Sequence, residues 1–359
     1  MLDATQWPST TSRFMPNRFI ARFAAILTLA LLHAAPAAAQ WPRQVPADGI
    51  AGYPSFFPDG RRIAYAFLAG PDAASQLHSV RIDGSDDRTL TAEKDHVLEV
   101  GFARDGKRLV YRATRRRASA DDPRSERLVS INPDGSDPRI IMSVPDGRVS
   151  LGGWSPDGTE LMATMRVGRG SDSVYLVNAD GSNRRAVFDG YGAWLADGSV
   201  IQTLRGMTGA QILIHETPAS PGRSITDMRF QSSLVTSRDG RLIAMQAGSL
   251  PPVGPLGGGH LYVMKRDGTG MRQIVDDASH IYNISFSPDG SKLLFEDTRD
   301  GNMDIFVINV DGTGERRLTA GPEDDQLPSW SPDGRQILFS SASHVWIMNA
   351  DGTAKRRIR

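Results

Sequence analysis

Four polar residues stand at the same distance before an Asp-Gly pair, and their side chains are of the kinds that build small binding sites. His96, Arg148, His280 and Asp324 each lie nine residues ahead of the aspartate of such a pair. Imidazole, guanidinium and carboxylate groups together can bind a small acid, the terminus of a peptide or a divalent metal, and the alternative is that they are solvated side chains without a ligand. We therefore predict a binding site formed by these four residues, provided that the segments carrying them are copies of one structural unit.

A second candidate is the arginine-rich stretch RATRRRASADDPRSER at residues 112–127, in which Arg115, Arg116 and Arg117 are consecutive. Guanidinium groups bind carboxylates and phosphates through two parallel hydrogen bonds. The stretch is predicted to be a loop that binds an acidic partner. The alternative is a solvated loop without a partner.

Several other kinds of chemistry find no support in the sequence. The chain has no cysteine, which excludes disulfides, thiol catalysis and cysteine-ligated zinc. The aspartates lack the spacing of a calcium-binding loop, and a G-x-S-x-G motif is absent. The formal net charge is zero, which argues against a nucleic-acid partner because such domains are usually basic. No metal or other cofactor is predicted.

The Asp-Gly pairs mark a repeat. The phrases FSPDGSKLLF, from residue 286, and WSPDGRQILF, from residue 330, are nearly the same, and successive copies lie 40 to 52 residues apart. This spacing is typical of β-propeller blades. In six of the seven copies an aromatic residue precedes the aspartate by three positions. The first-turn aspartates are Asp59, Asp105, Asp157, Asp197, Asp239, Asp289 and Asp333.

Each copy reads as four strands, named A to D, joined by two tight turns and one longer loop. Apolar runs such as Ile337-Leu338-Phe339 are too short for helices and are bounded by turn residues. In Ser-Pro-Asp-Gly the proline presets φ, the aspartate bonds to the backbone, and the glycine takes positive φ. A second Asp-Gly turn follows strand C in six copies, whereas the fourth copy has Thr217-Pro218.

Seven such units predict an all-β fold, a seven-bladed β-propeller of four-stranded antiparallel blades, with six or eight blades as alternatives. The aromatic row is expected to fill the space between neighbouring sheets. Two ways of closing the ring stay open: flat packing of the last blade against the first, or pairing of residues 41–52 with a sheet edge.

This architecture separates two faces. The A–B and C–D turns lie on one face, and the B–C and D–A connections lie on the other. The distance between the two turns of a unit varies from 18 to 29 residues, and most of that variation is assigned to the B–C loops. Because binding residues concentrate on variable loops of rigid scaffolds, the B–C/D–A face is predicted to bind the partner. His96, Arg148, His280 and Asp324 would surround the channel mouth on that face.

The N-terminus has the pattern of a secretory signal peptide. MPNRFIARFAAILTLALLHAAPAAAQ, from Met15, has a basic start, an apolar run and an A-x-A cleavage site. We assign residues 1–39 to the signal peptide, with Met15 as a possible true start, and residues 40–359 to a single propeller domain. The alternative is an uncleaved signal anchor. The mature chain is expected to be periplasmic or secreted, monomeric, and without an integral membrane segment.

The repeat W-S-P-D-G…I-L-F…V-W-I-M-N-A-D-G-T…R-R-I resembles the propeller repeat of the TolB family, the periplasmic component of the bacterial Tol–Pal cell-envelope system, over about residues 53–359. TolB proteins carry an α/β domain before a six-bladed propeller and bind a peptidoglycan-associated lipoprotein at the propeller mouth. Here the repeats start directly after the signal peptide and number seven. The resemblance implies an envelope location and another envelope protein, or a peptide, as partner.

Similar repeats occur in the propellers of prolyl-oligopeptidase-type peptidases and in oligogalacturonate lyases, which hold a metal through histidines. The favoured interpretation is an exported, non-catalytic scaffold that binds a protein or another ligand in the cell envelope. One alternative is a metal-assisted polysaccharide lyase or hydrolase with its site at the propeller mouth. Another is an accessory or sensor subunit that works with a separate enzyme.

Overall fold

The computed structural model describes residues 49–70, 73–91, 96–103, 105–114, 125–168, 170–206, 209–226, 234–248, 259–276 and 281–359. All regular elements in these ranges are β-strands, and they form seven four-stranded antiparallel sheets. Each sheet consists of four consecutive strands in chain order. The predicted seven-bladed propeller is therefore confirmed.

Strand A of each blade lies at the centre of the ring, where it approaches strand A of the next blade. The A strands are β1 (Ile50–Phe56), β5 (His96–Phe102), β9 (Gly147–Trp154), β13 (Tyr191–Trp194), β17 (Leu234–Thr236), β21 (Ile281–Phe286) and β25 (Asp325–Trp330). The B strands are β2 (Arg62–Leu68), β6 (Leu109–Thr114), β10 (Glu160–Val167), β14 (Val200–Gly206), β18 (Leu242–Gly248), β22 (Lys292–Asp297) and β26 (Gln336–Ser341).

The two remaining strands of each blade lie farther from the centre, and the D strand is the outer edge. The C strands are β3 (Gln76–Arg81), β7 (Glu126–Ile131), β11 (Ser173–Asn178), β15 (Gly209–His215), β19 (Gly259–Lys265), β23 (Asp304–Asn309) and β27 (His344–Asn349). The D strands are β4 (Arg88–Thr89), β8 (Arg139–Val144), β12 (Arg185–Asp189), β16 (Arg223–Thr226), β20 (Arg272–Val275), β24 (Arg316–Arg317) and β28 (Arg356–Arg357).

The core lies in the seams between neighbouring blades. Ile337, Leu338 and Phe339 are consecutive in β26 and all fully buried, although their side chains alternate between the two faces of the sheet. Leu338 packs with blade 1, and the other two pack with blade 6. Seven hydrophobic clusters occupy the seven seams in this way.

The aromatic residues before the first turns pack into these seams, as predicted. Trp330, for example, packs against Leu294 and Val307 of the preceding blade. The full set is Phe56, Phe102, Trp154, Trp194, Phe286 and Trp330.

The aspartate of each first turn bonds back to the chain, as expected from its turn chemistry. In the turn after β21, the Ser291 backbone amide donates to Asp289 Oδ1 at 3.0 Å, and Ser287 Oγ donates to the same oxygen at 2.6 Å. All seven first turns have the amide bond, at 2.9–3.1 Å. These bonds fix where strand B begins relative to strand A.

The second Asp-Gly turn has a role that turn geometry alone does not reveal. Its glycine lies against the outer strand of the preceding blade, where a Cβ on Gly268 would stand 2.0 Å from the Ile225 carbonyl oxygen. The corresponding distance is 2.5 Å for Gly135 to the Leu90 oxygen. The glycine therefore allows two blades to approach closely, in addition to accepting positive φ.

The ring is closed by flat packing of blade 7 against blade 1. Gly84 of blade 1 faces the Ile358 carbonyl oxygen of blade 7, which repeats the contact seen at the other seams. Arg359 Nη2 lies 2.7 Å from Asp87 Oδ2 across this seam. Within the described residues, all strands of both sheets come from their own blade, which agrees with flat packing. Residues 41–48, the greater part of the segment in the other predicted closure, lie outside the described residues.

Blade 4 lacks the second Asp-Gly turn and holds its C–D connection differently. The buried His215 places Nδ1 2.7 Å from the Ser220 carbonyl oxygen and Nε2 2.7 Å from Gln202 Oε1. The Thr217 backbone amide donates to Ser220 Oγ at 3.0 Å. In blade 4 a histidine at the end of strand C thus stabilises the C–D turn by hydrogen bonding, a role that an aspartate has in the other blades.

Replacing Gly268 with alanine should destabilise the fold far more than replacing Gly198. Both glycines have φ of +87°, so both alanines bear the cost of a left-handed backbone, about 1 kcal/mol. Only Gly268→Ala also places a Cβ against the Ile225 backbone, whereas the space beside Gly198 is open. We expect an additional loss of about 2 kcal/mol for Gly268→Ala. Urea unfolding of both variants measures the difference, and equal losses would contradict the seam contact.

Candidate binding face at the channel mouth

The two faces of the disc differ as predicted. The A–B turns are uniform, as at residues 57–61 and 331–335, whereas the B–C connections range from 342–343 in blade 7 to 115–125 in blade 2. The D–A connections also vary, from Gly190 alone between β12 and β13 to residues 318–324 between β24 and β25. The variable segments are therefore on one face, around the ends of the A strands.

Three of the four predicted mouth residues lie at this face. His96 is the first residue of β5, Arg148 is the second residue of β9, and Asp324 directly precedes β25. His280 lies outside the described residues, and so do Arg115, Arg116 and Arg117. The alignment of the repeats therefore placed the three described residues correctly, while their role in binding stays a prediction.

Two of these residues are bonded to the preceding blade. The Ser75 backbone amide of blade 1 donates to His96 Nδ1 at 3.4 Å, and the Met303 amide of blade 6 donates to Asp324 Oδ1 at 2.9 Å. Arg148 lies opposite Arg166 in the β9–β10 ladder. The mouth residues are thus positioned by the seams as well as by their own strands.

A group of charged residues that sequence reasoning missed is buried between blades 2 and 3. Arg112 Nη1 lies 3.3 Å from Glu126 Oε2, and Arg112 Nε lies 3.6 Å from Glu99 Oε2. The side chains of Arg112 and Glu126 are 5% and 3% exposed. The sequence analysis had placed Arg112 and Arg127 in an arginine-rich loop, but they belong to β6 and β7. That interpretation was wrong for both, because the strands extend farther than the apolar runs.

Both glutamates also bind the backbone of the next blade. Glu126 Oε2 accepts a hydrogen bond from the Val149 amide at 3.0 Å, and Glu99 Oε2 accepts one from the Leu151 amide at 3.4 Å. Charge-assisted bonds of this kind are stronger than those between neutral groups. Arg112 balances one of the two carboxylates, and Glu99 keeps a side chain that is 38% exposed.

Several A strands contain bulges. The pairing register shifts in β1, β5, β21 and β25, and also between β9 and β10. Tyr53, Asn283 and Leu327 have φ of 54°, 46° and 54° at three of the bulges. Such a backbone is strained for a non-glycine residue and persists where its surroundings hold it in place. Bulges are common beside functional sites because they redirect side chains.

A second buried acid lies at the seam between blades 6 and 7. Glu296 in β22 has no exposed surface, and its Oε1 accepts hydrogen bonds from Asn283 Nδ2 at 2.7 Å and from the Leu327 amide. Its Oε2 is buried without a hydrogen-bond partner. Burial, together with a smaller effect of the nearby Asp324 carboxylate, raises the pKa of Glu296 to about 7, although the two hydrogen bonds act to lower it.

Arg112 and Glu296 occupy equivalent positions, seven residues after the first-turn aspartates Asp105 and Asp289. Each directly follows a buried apolar run of strand B, Leu109–Tyr111 in blade 2 and Leu293–Phe295 in blade 6. A charged residue at the end of such a run is the sequence signal that could have identified both. This signal was missed because strand B was expected to end with its apolar residues.

Three other buried acids of blades 6 and 7 have basic partners. Asp297 Oδ2 lies 2.7 Å from Arg299 Nε, and Asp325 Oδ2 lies 3.2 Å from Lys355 Nζ. Asp304 pairs with Arg317. In the part of the chain that the structure describes, His, Asp and Glu side chains form no group of three placed to hold a metal ion. The arrangement provides charged and hydrogen-bonding groups on a rigid frame.

Removing the Arg112 guanidinium should destabilise the protein strongly. In Arg112→Ala, Glu126 would remain buried without its counter-charge, and breaking a buried pair costs about 3 kcal/mol or more. Arg185→Ala is the matched control, since its side chain is 48% exposed beside Glu160, and we expect a loss below about 1 kcal/mol. Adding Glu126→Gln to Arg112→Ala should restore part of the stability. Chemical unfolding checks this, and equal losses for the two arginines would contradict it.

A comparison of the sequence with known protein families also indicates a propeller. Residues 257–359 match the family described as TolB beta propeller domain. No curated protein sequence matches the chain. Within the described ranges no helix is long and apolar enough to cross a membrane.

Solved structures with the same fold come from proteins of several kinds. TolB from Acinetobacter baumannii is similar at 15% identity and a TM-score of 0.54, over 78% of this chain and 75% of that protein. An oligogalacturonate lyase solved in complex with manganese is similar at 14% identity and a TM-score of 0.63, over 84% and 90%. The propeller domain of the Trilobed protease from Pyrococcus furiosus is similar at 13% identity and a TM-score of 0.64, over 87% and 98%. The chain therefore has a TolB-like propeller fold, and at these identities the similarity extends to the fold alone.

Proposed function

We propose that this TolB-like propeller is an exported, non-catalytic binding protein of the cell envelope, and that it binds another envelope protein or a peptide on its B–C/D–A face. The observation that carries the proposal is the arrangement of buried charges below that face. Glu126 and Glu296 accept backbone hydrogen bonds from the next blade, and Arg112 is paired with Glu126 within blade 2. A rigid frame of this kind, beneath segments of variable length, suits recognition.

The chemistry of the mouth supports a polar or charged group as the part of the partner that enters it. Glu99 and Asp324 have exposed surface there, and Arg148 and His96 lie at the same level of the ring. The TolB match over residues 257–359 and the signal-peptide pattern of residues 1–39 support a periplasmic or secreted location. We propose that the chain works as a monomer.

The second candidate is a metal-assisted polysaccharide lyase or hydrolase. It is favoured by the position of His96 at the mouth and by the similarity in fold to a lyase solved with manganese. Titration calorimetry with Mn²⁺ separates the two functions. Stoichiometric binding that is lost in His96→Ala would favour the enzyme.

Photo-crosslinking from each face tests the binding proposal. A photoreactive amino acid at Val167, which is 54% exposed at the end of β10, reports on the B–C/D–A face. The same group at Lys107, whose side chain is 82% exposed in the A–B turn of blade 2, reports on the opposite face. In an envelope extract of the source cells we expect a discrete crosslinked protein from Val167 and none from Lys107, because the partner contacts the variable face.

The arginine-rich loop gives an independent check of the same proposal. Replacing Arg115, Arg116 and Arg117 together with alanine should weaken capture of that protein at least tenfold, because guanidinium contacts to acidic groups are lost. Unchanged capture would remove the loop from the proposal. Crosslinking from Lys107 but not from Val167 would overturn the choice of face.

A further inference from the structure

Glu296 is the buried acid whose surroundings differ most from those of the other buried acids in the described part of the chain. Glu126 has Arg112, Asp297 has Arg299, Asp304 has Arg317 and Asp325 has Lys355 as counter-charge. Among the described residues Glu296 has no ion-pair partner, and the hydrogen bonds found for it come from two neutral donors to one oxygen. A buried carboxylate without a counter-charge is unstable in its ionised form.

The two bonds of Glu296 join two blades. Asn283 belongs to the bulge of β21 in blade 6, and Leu327 belongs to the bulge of β25 in blade 7. Both residues have positive φ, which a non-glycine residue adopts at a cost. The Glu296 carboxyl group is therefore a link between two strained bulges, and a change at this group alters the seam at the channel mouth.

The groups that face Glu296 make its ionised form still less favourable. Asp324, in the connection that leads into β25, adds negative charge from blade 7. Tyr282 of β21 is cross-strand from Glu296, and the carboxylates of Glu296 and Asp297 both act to raise its pKa. On β23, Ile305 is opposite Glu296, and the nearest acid, Asp304, is paired with Arg317.

We propose that Glu296 makes the seam between blades 6 and 7 sensitive to pH: the seam is closed when the carboxyl group is protonated and loosens when it ionises. The protonated acid keeps Oε1 as an acceptor for Leu327 and Asn283 without a buried charge. Ionisation places a buried negative charge at the seam, close to the charge of Asp324. Opening of the seam lowers the cost of that charge because water can then hydrate Oε2. This inference goes beyond the proposed function and holds whether or not the mouth binds a protein.

The direction of the pH dependence follows from the raised pKa. The closed seam holds a proton up to about pH 7, whereas an exposed glutamate has a pKa of 4.5 and loses its proton near that pH. The open seam therefore binds fewer protons between these values, and opening becomes easier as the pH rises through this window. Above about pH 7 both states are ionised, and the effect levels off.

Hydrogen exchange measured by mass spectrometry tests this on the full chain. After correction for intrinsic exchange rates, the opening constant for peptides covering Asp325–Trp330 should rise on the order of tens-fold between pH 5 and pH 8, with most of the rise below pH 7. In Glu296→Gln the amide replaces the protonated acid, and the rise should disappear. Glu296→Gln should also match the wild type in thermal stability at pH 5 and exceed it at pH 8.

The molecule contains its own control at the seam between blades 2 and 3. There the Val149 amide is bonded to Glu126, which Arg112 neutralises, so exchange in Gly147–Trp154 should show no such rise. A rise of the same size in both peptides would overturn the proposal, as would a rise that persists in Glu296→Gln. If Glu296→Gln does not fold, the comparison of the two seams within the wild type still decides the matter. No partner is present in this experiment, so its outcome is independent of the crosslinking result.

Discussion

The structure depends on the fact that each blade has two apolar faces. In β26 three consecutive side chains are completely buried, and alternate residues of a strand point to opposite sides of the sheet. A single four-stranded sheet would leave one or both of these faces in water. Burial of a large apolar side chain contributes about 1.5–3 kcal/mol, so a blade is stable only between two neighbours. In a closed ring every blade, including the first and the last, has two neighbouring blades.

Close approach of the blades then determines which residues fit at the seams. On the outer side, the glycine of the second turn stands against the backbone of the preceding D strand, as Gly135 does against Leu90. On the inner side, Glu296 near the end of strand B reaches the bulge of the next A strand, where it accepts a hydrogen bond from the Leu327 amide. A polar group at that position is enclosed by two blades and must be satisfied there. Arg112 donates a hydrogen bond to Glu126 and lies 3.6 Å from Glu99, so two carboxylates offset its charge although its Nε has no hydrogen-bond partner. Glu296 has no such counter-charge among the described residues, and only one of its oxygens accepts hydrogen bonds.

Much of the fold could be predicted from the sequence because its signals are local. The turn aspartates act on amides two residues away, and the apolar runs lie within single strands, so blade number and strand order follow from one repeat. The role of Gly268 and the pairing of Arg112 with Glu126 could not be predicted in this way. Their partners lie in another unit or across a long loop, and spacing along the chain does not reveal them. The three described mouth residues were singled out because several blades have a polar residue at that position of the repeat, whereas Glu99 and Glu296 stand at positions where no other blade has an acid.

The same reasoning explains why propellers of similar shape serve different proteins. The seams of this propeller need apolar clusters, glycines and tight turns, and a TolB, a lyase and the propeller domain of a protease have a similar fold at identities of 13–15%. None of these requirements constrains the residues at the end of strand B or in the B–C connections. Those positions are free to differ from blade to blade, and here they are occupied by an arginine in blade 2, a glutamate in blade 6 and a serine, Ser340, in blade 7. The chemistry that distinguishes this propeller therefore lies where the ring tolerates variation, at the inner ends of the seams.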